Sequence, residues 1–168
     1  TKVGMETFVD PALEGGAMND AARIEPIVEQ KEFDGEDWLY FKALRPNIAI
    51  IRASTADDRG NLSFEHEGAY LGAMEMALAA HNCGGKVIAQ VKQVAMNGSI
   101  RPHDVRVPGI LVDAVVVAPD QLQTTATEFD PAISGELIRP LSTFRIPDFN
   151  VGKVIARRVA QELKNGWA

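Results

Sequence analysis

The sequence predicts an α/β fold in which helices flank a mixed, mostly parallel sheet. Short apolar runs rich in β-branched residues, at 47–54, 86–94 and 112–119, have the length and composition of buried strands. A helical pattern lies between the first two of these runs, at 69–82. Because a helix that joins two strands usually places them side by side in the same direction, this order indicates parallel pairing.

Composition narrows the class of protein. The chain has 168 residues, of which 46% are hydrophobic and 24% charged, as expected for one globular domain. The formal net charge is −6 and no block of Lys or Arg stands out, so we expect no nucleic-acid partner. The apolar runs are too short to span a membrane, and the only cysteine, Cys83, fits a reducing, cytoplasmic setting.

The first quarter of the chain is predicted to hold a loop and a hairpin. Residues 1–23 are polar and loop-like, and Gly-Gly at 15–16 signals a turn. Residues 26–44 form two strand-like runs on either side of Asp-Gly at 34–35. Asp-Gly between two such runs predicts a β-hairpin.

The central elements follow from alternating apolar runs and glycines. The run at 47–54 predicts a strand buried on both faces, and residues 62–65 predict a second short strand. Residues 69–82 predict a helix that Gly-Gly at 84–85 ends. The apolar face of this helix is expected to comprise Leu71, Met74 and Leu78.

The last third of the chain changes in character. Residues 120–150 are rich in Thr, Ser, Pro and Asp and read as a linker. Residues 151–166 predict an amphipathic helix that ends at Gly166. Its apolar stripe comprises Val151, Val154, Ile155, Val159 and Leu163. A helix of this length needs a surface to bury that stripe, and the chain opens at Thr1 without methionine, so we expect a piece of a longer chain.

No cofactor or metal motif is visible in the sequence. The three histidines, His66, His81 and His103, lack the spacing of a metal site. The chain contains no Walker A, GxGxxG or GxSxG pattern, so a nucleotide site or a serine nucleophile is unsupported.

One carboxylate has the setting of a nucleophile. In FEHEGAYLGAM, residues 64–74, Glu67 is followed by Gly68 and Gly72, and backbone N–H groups at glycines can hold a developing oxyanion. The alternative is that Glu65 and Glu67 only place negative charge near a helix N-terminus. We favour this alternative.

A second pair of carboxylates needs no catalytic role to explain it. Asp57 and Asp58 precede Gly60-Asn61 and read as solvated turn residues.

Several stretches together resemble family I coenzyme A-transferases. They are VGMETFVDPALEGGAMN at 3–19, IIRASTADDRGNLSFE at 50–65, KVIAQVKQV at 86–94, VRVPGILVDAVVV at 105–117, FDPAISGELIRP at 129–140 and KVIARRVAQEL at 153–163. The last two resemble the single-chain acetate/propionate type. The likeness runs in order through nearly the whole chain.

This resemblance implies an activity, a mechanism and a division of the chain. Members move coenzyme A from an acyl-CoA to a carboxylic acid by a ping-pong route through a glutamyl-CoA thioester, without a further cofactor. Residues 1–120 resemble the rear of the N-terminal domain, 121–150 the interdomain linker, and 151–168 the first helix of the catalytic domain. The glutamate motif, E-[NSTQ]-G-x-x-G, would lie beyond residue 168, and Glu67 departs from it because Gly68 comes one place early.

The resemblance also suggests substrate-binding residues. Glu6, Thr7 and Phe8 lie in a loop that borders the acyl site in this family, although many members carry Gly at the position of Glu6. For Phe8 the alternative is packing in the core. The implied partners are acyl-CoA, small carboxylic acids, the remainder of the chain and further copies of it in a homo-oligomer.

Two other identities remain open. The first is the non-catalytic subunit of a two-subunit coenzyme A-transferase, although residues 120–168 argue against it because they continue into what resembles a second domain. The second is a sugar-phosphate-isomerase-like domain or sensor with the same α/β fold. A purely structural domain is the remaining alternative.

Overall fold

The computed structural model describes residues 1–14 and 19–166, so the predicted turn at 15–16 lies outside the described residues. The elements are α1 (Asp20–Ile24), β1 (Val28–Phe33), β2 (Glu36–Phe41), β3 (Ile48–Asp57), β4 (Leu62–Ser63), α2 (Ala73–Asn82), β5 (Lys86–Ala95), β6 (Ala114–Val117) and α3 (Val151–Ala160). Short 3₁₀ turns lie at Pro11–Leu13, Pro102–Asp104, Gly109–Leu111 and Leu141–Thr143.

The main sheet has the strand order β4-β3-β5-β6. Strands β3, β5 and β6 are parallel, and β4 pairs antiparallel with the end of β3. This confirms the predicted mixed, mostly parallel sheet. The parallel strands all end at one edge, where ligands bind in open sheets of this kind.

The hairpin forms a separate two-stranded sheet, as the sequence predicts. β1 and β2 pair antiparallel from Val28 opposite Phe41 to Phe33 opposite Glu36. The turn residues adopt positive φ angles, 53° at Asp34 and 76° at Gly35. Asp-Gly is favoured there because these residues tolerate the left-handed backbone that matches strand twist.

The N-terminal segment is more ordered than predicted. The loop-like reading of 1–23 is wrong at its end, where Asp20–Ile24 form the short helix α1. The side chain of Asn19 starts this helix by accepting a hydrogen bond from the Ala22 N–H at 2.9 Å.

The core lies between α2 and one face of the sheet. Ala73, Ala77 and Ala80 of α2 are buried against β3 and β5, and their small side chains allow close packing. The prediction that 47–54 is buried on both faces is wrong, because Ile48 is 53% exposed and Ile50 is 73% exposed. These two side chains alternate with the buried ones and point away from α2.

Helix α2 begins later than predicted. Leu71 and Gly72 have φ angles of 49° and 71°, so the right-handed helix starts only at Ala73. Leu71 is 81% exposed and does not belong to the packed face. The stop is confirmed, because Gly84 has a φ of 74° and the Gly85 N–H donates to the Ala80 carbonyl.

The predicted linker and the last helix are largely exposed. Residues 120–150 contain no helix or strand apart from one 3₁₀ turn, although Gln123 is buried at 6% exposure. Helix α3 is confirmed but ends at Ala160, before the predicted Gly166. All five residues of its apolar stripe are exposed. The assignment of these segments to separate domains stays a prediction.

Candidate functional site

An open cleft lies at the carboxyl ends of β3 and β5, with a volume of about 600 Å³. Its walls come from the ends of both strands, the β4–α2 connection and the segment after β5. Both the location and the volume are typical of small-molecule sites in open α/β sheets.

The floor of the cleft is a hydrogen-bonded polar cluster. The hydroxyl of Thr55, a residue only 4% exposed, donates to the Glu65 carboxylate and accepts from Gln93 Nε2 at 3.0 Å. Partial burial acts to raise the pKa of Glu65, but hydrogen bonds from the hydroxyls of Thr55 and Ser63 outweigh it and lower the pKa below its usual value. Glu65 is therefore an anion at neutral pH.

Glu67 is held by an arginine and lies away from any helix N-terminus. Its side chain is 5% exposed, and Nε of Arg52 donates to Oε2 at 3.0 Å. The interpretation that Glu65 and Glu67 sit at the start of α2 is wrong, because that helix begins only at Ala73. Burial and the ion pair fix Glu67 as a structural counter-ion, which fits its departure from the nucleophile motif.

Arg52 also binds the chain that follows β6. Its guanidinium donates to the carbonyls of Leu122 and Gln123 at 2.9 and 2.7 Å. The Gln123 amide in turn donates to the His66 carbonyl at 2.7 Å and accepts from the Asp130 N–H at 2.7 Å. This Arg52 network ties the beginning of the predicted linker to the wall of the cleft.

Two of the quoted motifs contact each other. Asp57, which is 4% exposed, accepts hydrogen bonds from the backbone and side-chain N–H groups of Asn61 at 2.9 and 2.8 Å. Asn61 Oδ1 accepts from the Gly109 N–H at 2.9 Å. The reading of Asp57 as a solvated turn residue is wrong, because it organises the turn on which the VPG stretch packs.

The pKa of Asp57 reflects this arrangement. Burial acts to raise the pKa, but the hydrogen bonds from Asn61 and Arg59 outweigh burial and lower it. The carboxylate is therefore charged at neutral pH, which makes its hydrogen bonds stronger than those of a neutral acceptor.

The predicted substrate-binding residues lie in an exposed turn away from the cleft. Glu6 has a φ of 60° and donates its N–H to Asp10 at 2.6 Å, while the Thr7 hydroxyl donates to the Gly4 carbonyl at 2.6 Å. Phe8 is 80% exposed, so the alternative of core packing is wrong for the described chain. Substrate binding by these residues stays a prediction.

Sequence reasoning missed the cationic rim of the cleft. Arg101 and Arg106 line it, and the Arg106 guanidinium lies 4.6 Å from the centre of the Tyr70 ring. Arg106 lies within the quoted stretch VRVPG, but its contact with Tyr70 bridges 36 positions of the chain and no local pattern reveals it.

The described residues show no metal-like cluster. Nowhere in 1–14 and 19–166 do three His, Cys, Asp or Glu side chains converge as ligands would. His66 instead packs edge-on against Phe129, with ring centres 4.9 Å apart, and Cys83 is exposed. None of the helices described is long and apolar enough to cross a membrane.

Comparison with known protein families shows the family to which the chain belongs. The family model described as Coenzyme A transferase matches residues 1–118. The chain belongs to the coenzyme A transferase family. This confirms the resemblance that the quoted stretches carry, and the sugar-phosphate-isomerase-like alternative is set aside.

Relatives within the coenzyme A transferase family match almost the whole chain. The caffeate CoA-transferase of Acetobacterium woodii is 46% identical over 169 residues, which cover 99% of this chain and 32% of that protein. The acetate CoA-transferase YdiF of Escherichia coli strain K12 is 41% identical over 165 residues, 98% of this chain and 31% of that protein. The chain thus spans about a third of the length of these relatives.

A solved coenzyme A transferase shares the fold. The crystal structure of the acyl-CoA transferase YdiF from Escherichia coli O157:H7, a thioester complex with CoA, superposes with a TM-score of 0.78 at 40% identity. The match covers 97% of this chain and 30% of that chain. The predicted fold class is thereby confirmed.

Proposed function

We propose that this chain is part of an enzyme that transfers coenzyme A between an acyl-CoA and a carboxylic acid. The observation that carries the proposal is the identity of 46% and 41% with two CoA-transferases over nearly the whole chain. The cleft at the carboxyl edge of the sheet is consistent with a small-molecule substrate.

The proposed mechanism is ping-pong through a glutamyl-CoA thioester. A glutamate carboxylate attacks the thioester carbonyl, and the released CoA thiolate then attacks the activated glutamyl group, which frees the first acid. A second acid reverses these steps and leaves as a new acyl-CoA. Glu67 does not suit this role, since Arg52 pairs with its buried carboxylate. We place the nucleophile in the part of the enzyme outside residues 1–168.

The single-chain type is favoured over a non-catalytic subunit. The family model ends at residue 118, but the two relatives match 98–99% of the chain, including the predicted linker and α3. The acetate/propionate type is supported by the acetate CoA-transferase relative, and the caffeate CoA-transferase relative makes an aromatic acid the competing acceptor. CoA as substrate without a further cofactor, a cytoplasmic location and a homo-oligomer complete the proposal.

A substrate panel on the full-length enzyme tests the proposal. Transfer from acetyl-CoA and propionyl-CoA is measured with acetate, propionate and caffeate as acceptors. We expect parallel lines in double-reciprocal plots, as a ping-pong route requires, and highest kcat/KM with a short-chain acid. Preference for caffeate would correct the acyl type alone, whereas no transfer with any acceptor would contradict the proposed activity.

A further inference from the structure

The two arginines on the rim of the cleft differ in their charge partners. Nε of Arg101 donates to Asp104 at 2.6 Å, so its charge is compensated. Arg106 forms no ion pair with any residue in the described ranges, and its guanidinium instead faces the Tyr70 ring at 4.6 Å. Arg106 therefore brings a net positive charge and unused N–H donors to the cleft.

Arg106 is held in place both at its backbone and at its guanidinium group. Its backbone N–H donates to the Leu62 carbonyl at 2.9 Å, and the next residue, Val107, is fully buried. The Tyr70 ring that supports the guanidinium packs edge-on against Phe64, with ring centres 5.7 Å apart and Phe64 only 6% exposed. Because the cation is already restrained, a ligand loses less free energy in ordering it.

We propose that Arg106, supported by Tyr70, binds an oxyanion group of a substrate in this cleft. A guanidinium can donate two parallel hydrogen bonds to a carboxylate or a phosphate, and stacking on an aromatic ring leaves those donors accessible. The group is either the carboxylate of the acceptor acid or a phosphate of coenzyme A. This inference rests on the proposed function.

The negative charge of Glu65 on the floor of the cleft determines the orientation in which the ligand binds. Glu65 is an anion in the same cleft, and like charges repel, so the oxyanion of the ligand binds at the Arg106 end. Hydroxyl or amide N–H groups of the ligand suit the Glu65 end, where a carboxylate accepts hydrogen bonds. A cleft of about 600 Å³ has room for such a ligand.

The experiment compares two arginines of the same cleft in the full-length enzyme. R106Q, R106K and R101Q are each measured for the Kd of CoA by calorimetry and for the KM of the acceptor acid. We expect R106Q to weaken one of these by about tenfold or more, because a charge-assisted hydrogen bond is lost. R106K keeps the charge without the two-pronged geometry and is expected to lie between R106Q and the wild type.

The two sources of the oxyanion separate in these measurements. A higher Kd for CoA that also loses its dependence on salt identifies a phosphate. A higher KM for the acid with unchanged CoA binding identifies the carboxylate. R101Q is expected to change either value by less than about threefold, because Asp104 already compensates Arg101.

A further variant, Y70L, removes the aromatic ring that supports Arg106 and leaves the charge of Arg106 intact. It is expected to produce a smaller loss at the same substrate, because the guanidinium keeps its charge but loses its support. Thermal midpoints of all variants exclude unfolding as the cause of a loss.

Three results would overturn the inference. If the wild-type enzyme transfers CoA and R106Q changes neither the Kd of CoA nor the KM of the acid, Arg106 does not bind the substrate. The proposed function still stands in that case. An equal loss in R101Q and R106Q shows a general effect of charge and not a specific contact. Absence of transfer in the wild-type enzyme overturns the proposed function and this inference together.

Discussion

At the scale of single residues, close backbone contacts explain one of the glycines in the quoted stretches. A Cβ added at Gly109 would lie 2.0 Å from the Arg59 carbonyl oxygen, which is far inside van der Waals contact. The Asn61 side chain, itself held by Asp57, accepts the Gly109 N–H. The A-D-x-x-G-N and V-P-G stretches thus form one packed unit.

Gly109→Ala is expected to destabilise the protein strongly. The added methyl group must displace backbone, so we expect a loss of about 3 kcal/mol in the free energy of unfolding. Gly98→Ala is the matched control, since Gly98 has a φ of 86° but no atom within 4 Å of an added Cβ. Its strain alone should cost roughly 1 kcal/mol. Urea denaturation of both variants checks this, and equal losses would show that the contact at Gly109 is not decisive.

Glu67 shows why burial decides the role of a carboxylate. The sequence places it beside glycines, as a nucleophile would be, but the fold places Arg52 against it from 15 positions away. In the sequence, the argument against Glu67 as the nucleophile is that Gly68 comes one place earlier than the motif requires. The ion pair supplies the physical reason.

At the scale of elements, the Arg52 network connects the sheet to the chain that follows it. Arg52 lies on β3, and its donors reach Glu67 in the β4–α2 connection and the carbonyls of Leu122 and Gln123. One side chain thereby joins β3, the β4–α2 connection and the chain after β6. Hydrogen exchange is suited to testing this role, because it reports local opening.

Arg52→Met is expected to release residues 121–130. Their amide hydrogens, including that of Asp130, should exchange at least tenfold faster, while those of α2 keep their protection. The thermal midpoint should also fall, because Glu67 is left buried without its partner.

The double variant R52M/E67L separates these two effects. Removing both charges should recover part of the thermal midpoint but not the exchange protection, because the bonds to the Leu122 and Gln123 carbonyls are still lost. Full recovery of protection would show that Glu67 alone, and not the Arg52 network, orders this segment.

At the scale of the whole molecule, periodicity and turn residues predicted most of the architecture. The strands β3 and β5 and the hairpin turn at Asp34-Gly35 follow from apolar runs and from backbone preferences, which act locally. The start of α2 could not be predicted, because Leu71 adopts a left-handed backbone that side-chain periodicity does not reveal.

The candidate site was much less predictable than the fold. Its defining contacts, between Arg52 and Glu67 and between Arg106 and Tyr70, join residues that are 15 and 36 positions apart in the chain. The apolar runs located strand β3, which carries Arg52, but Glu67 and Tyr70 lie in the β4–α2 connection and Arg106 lies between β5 and β6. These runs did not indicate which arginine would be paired with an acid.

The central claim is that this chain belongs to a CoA-transferase whose nucleophile is a glutamate elsewhere in the enzyme. Mass spectrometry of peptides from the full-length enzyme, incubated with acyl-CoA without acceptor, tests it most directly. We predict a glutamyl-CoA adduct on one glutamate outside residues 1–168, unchanged in E67Q. An adduct on Glu67, or no adduct on any glutamate, would contradict the account.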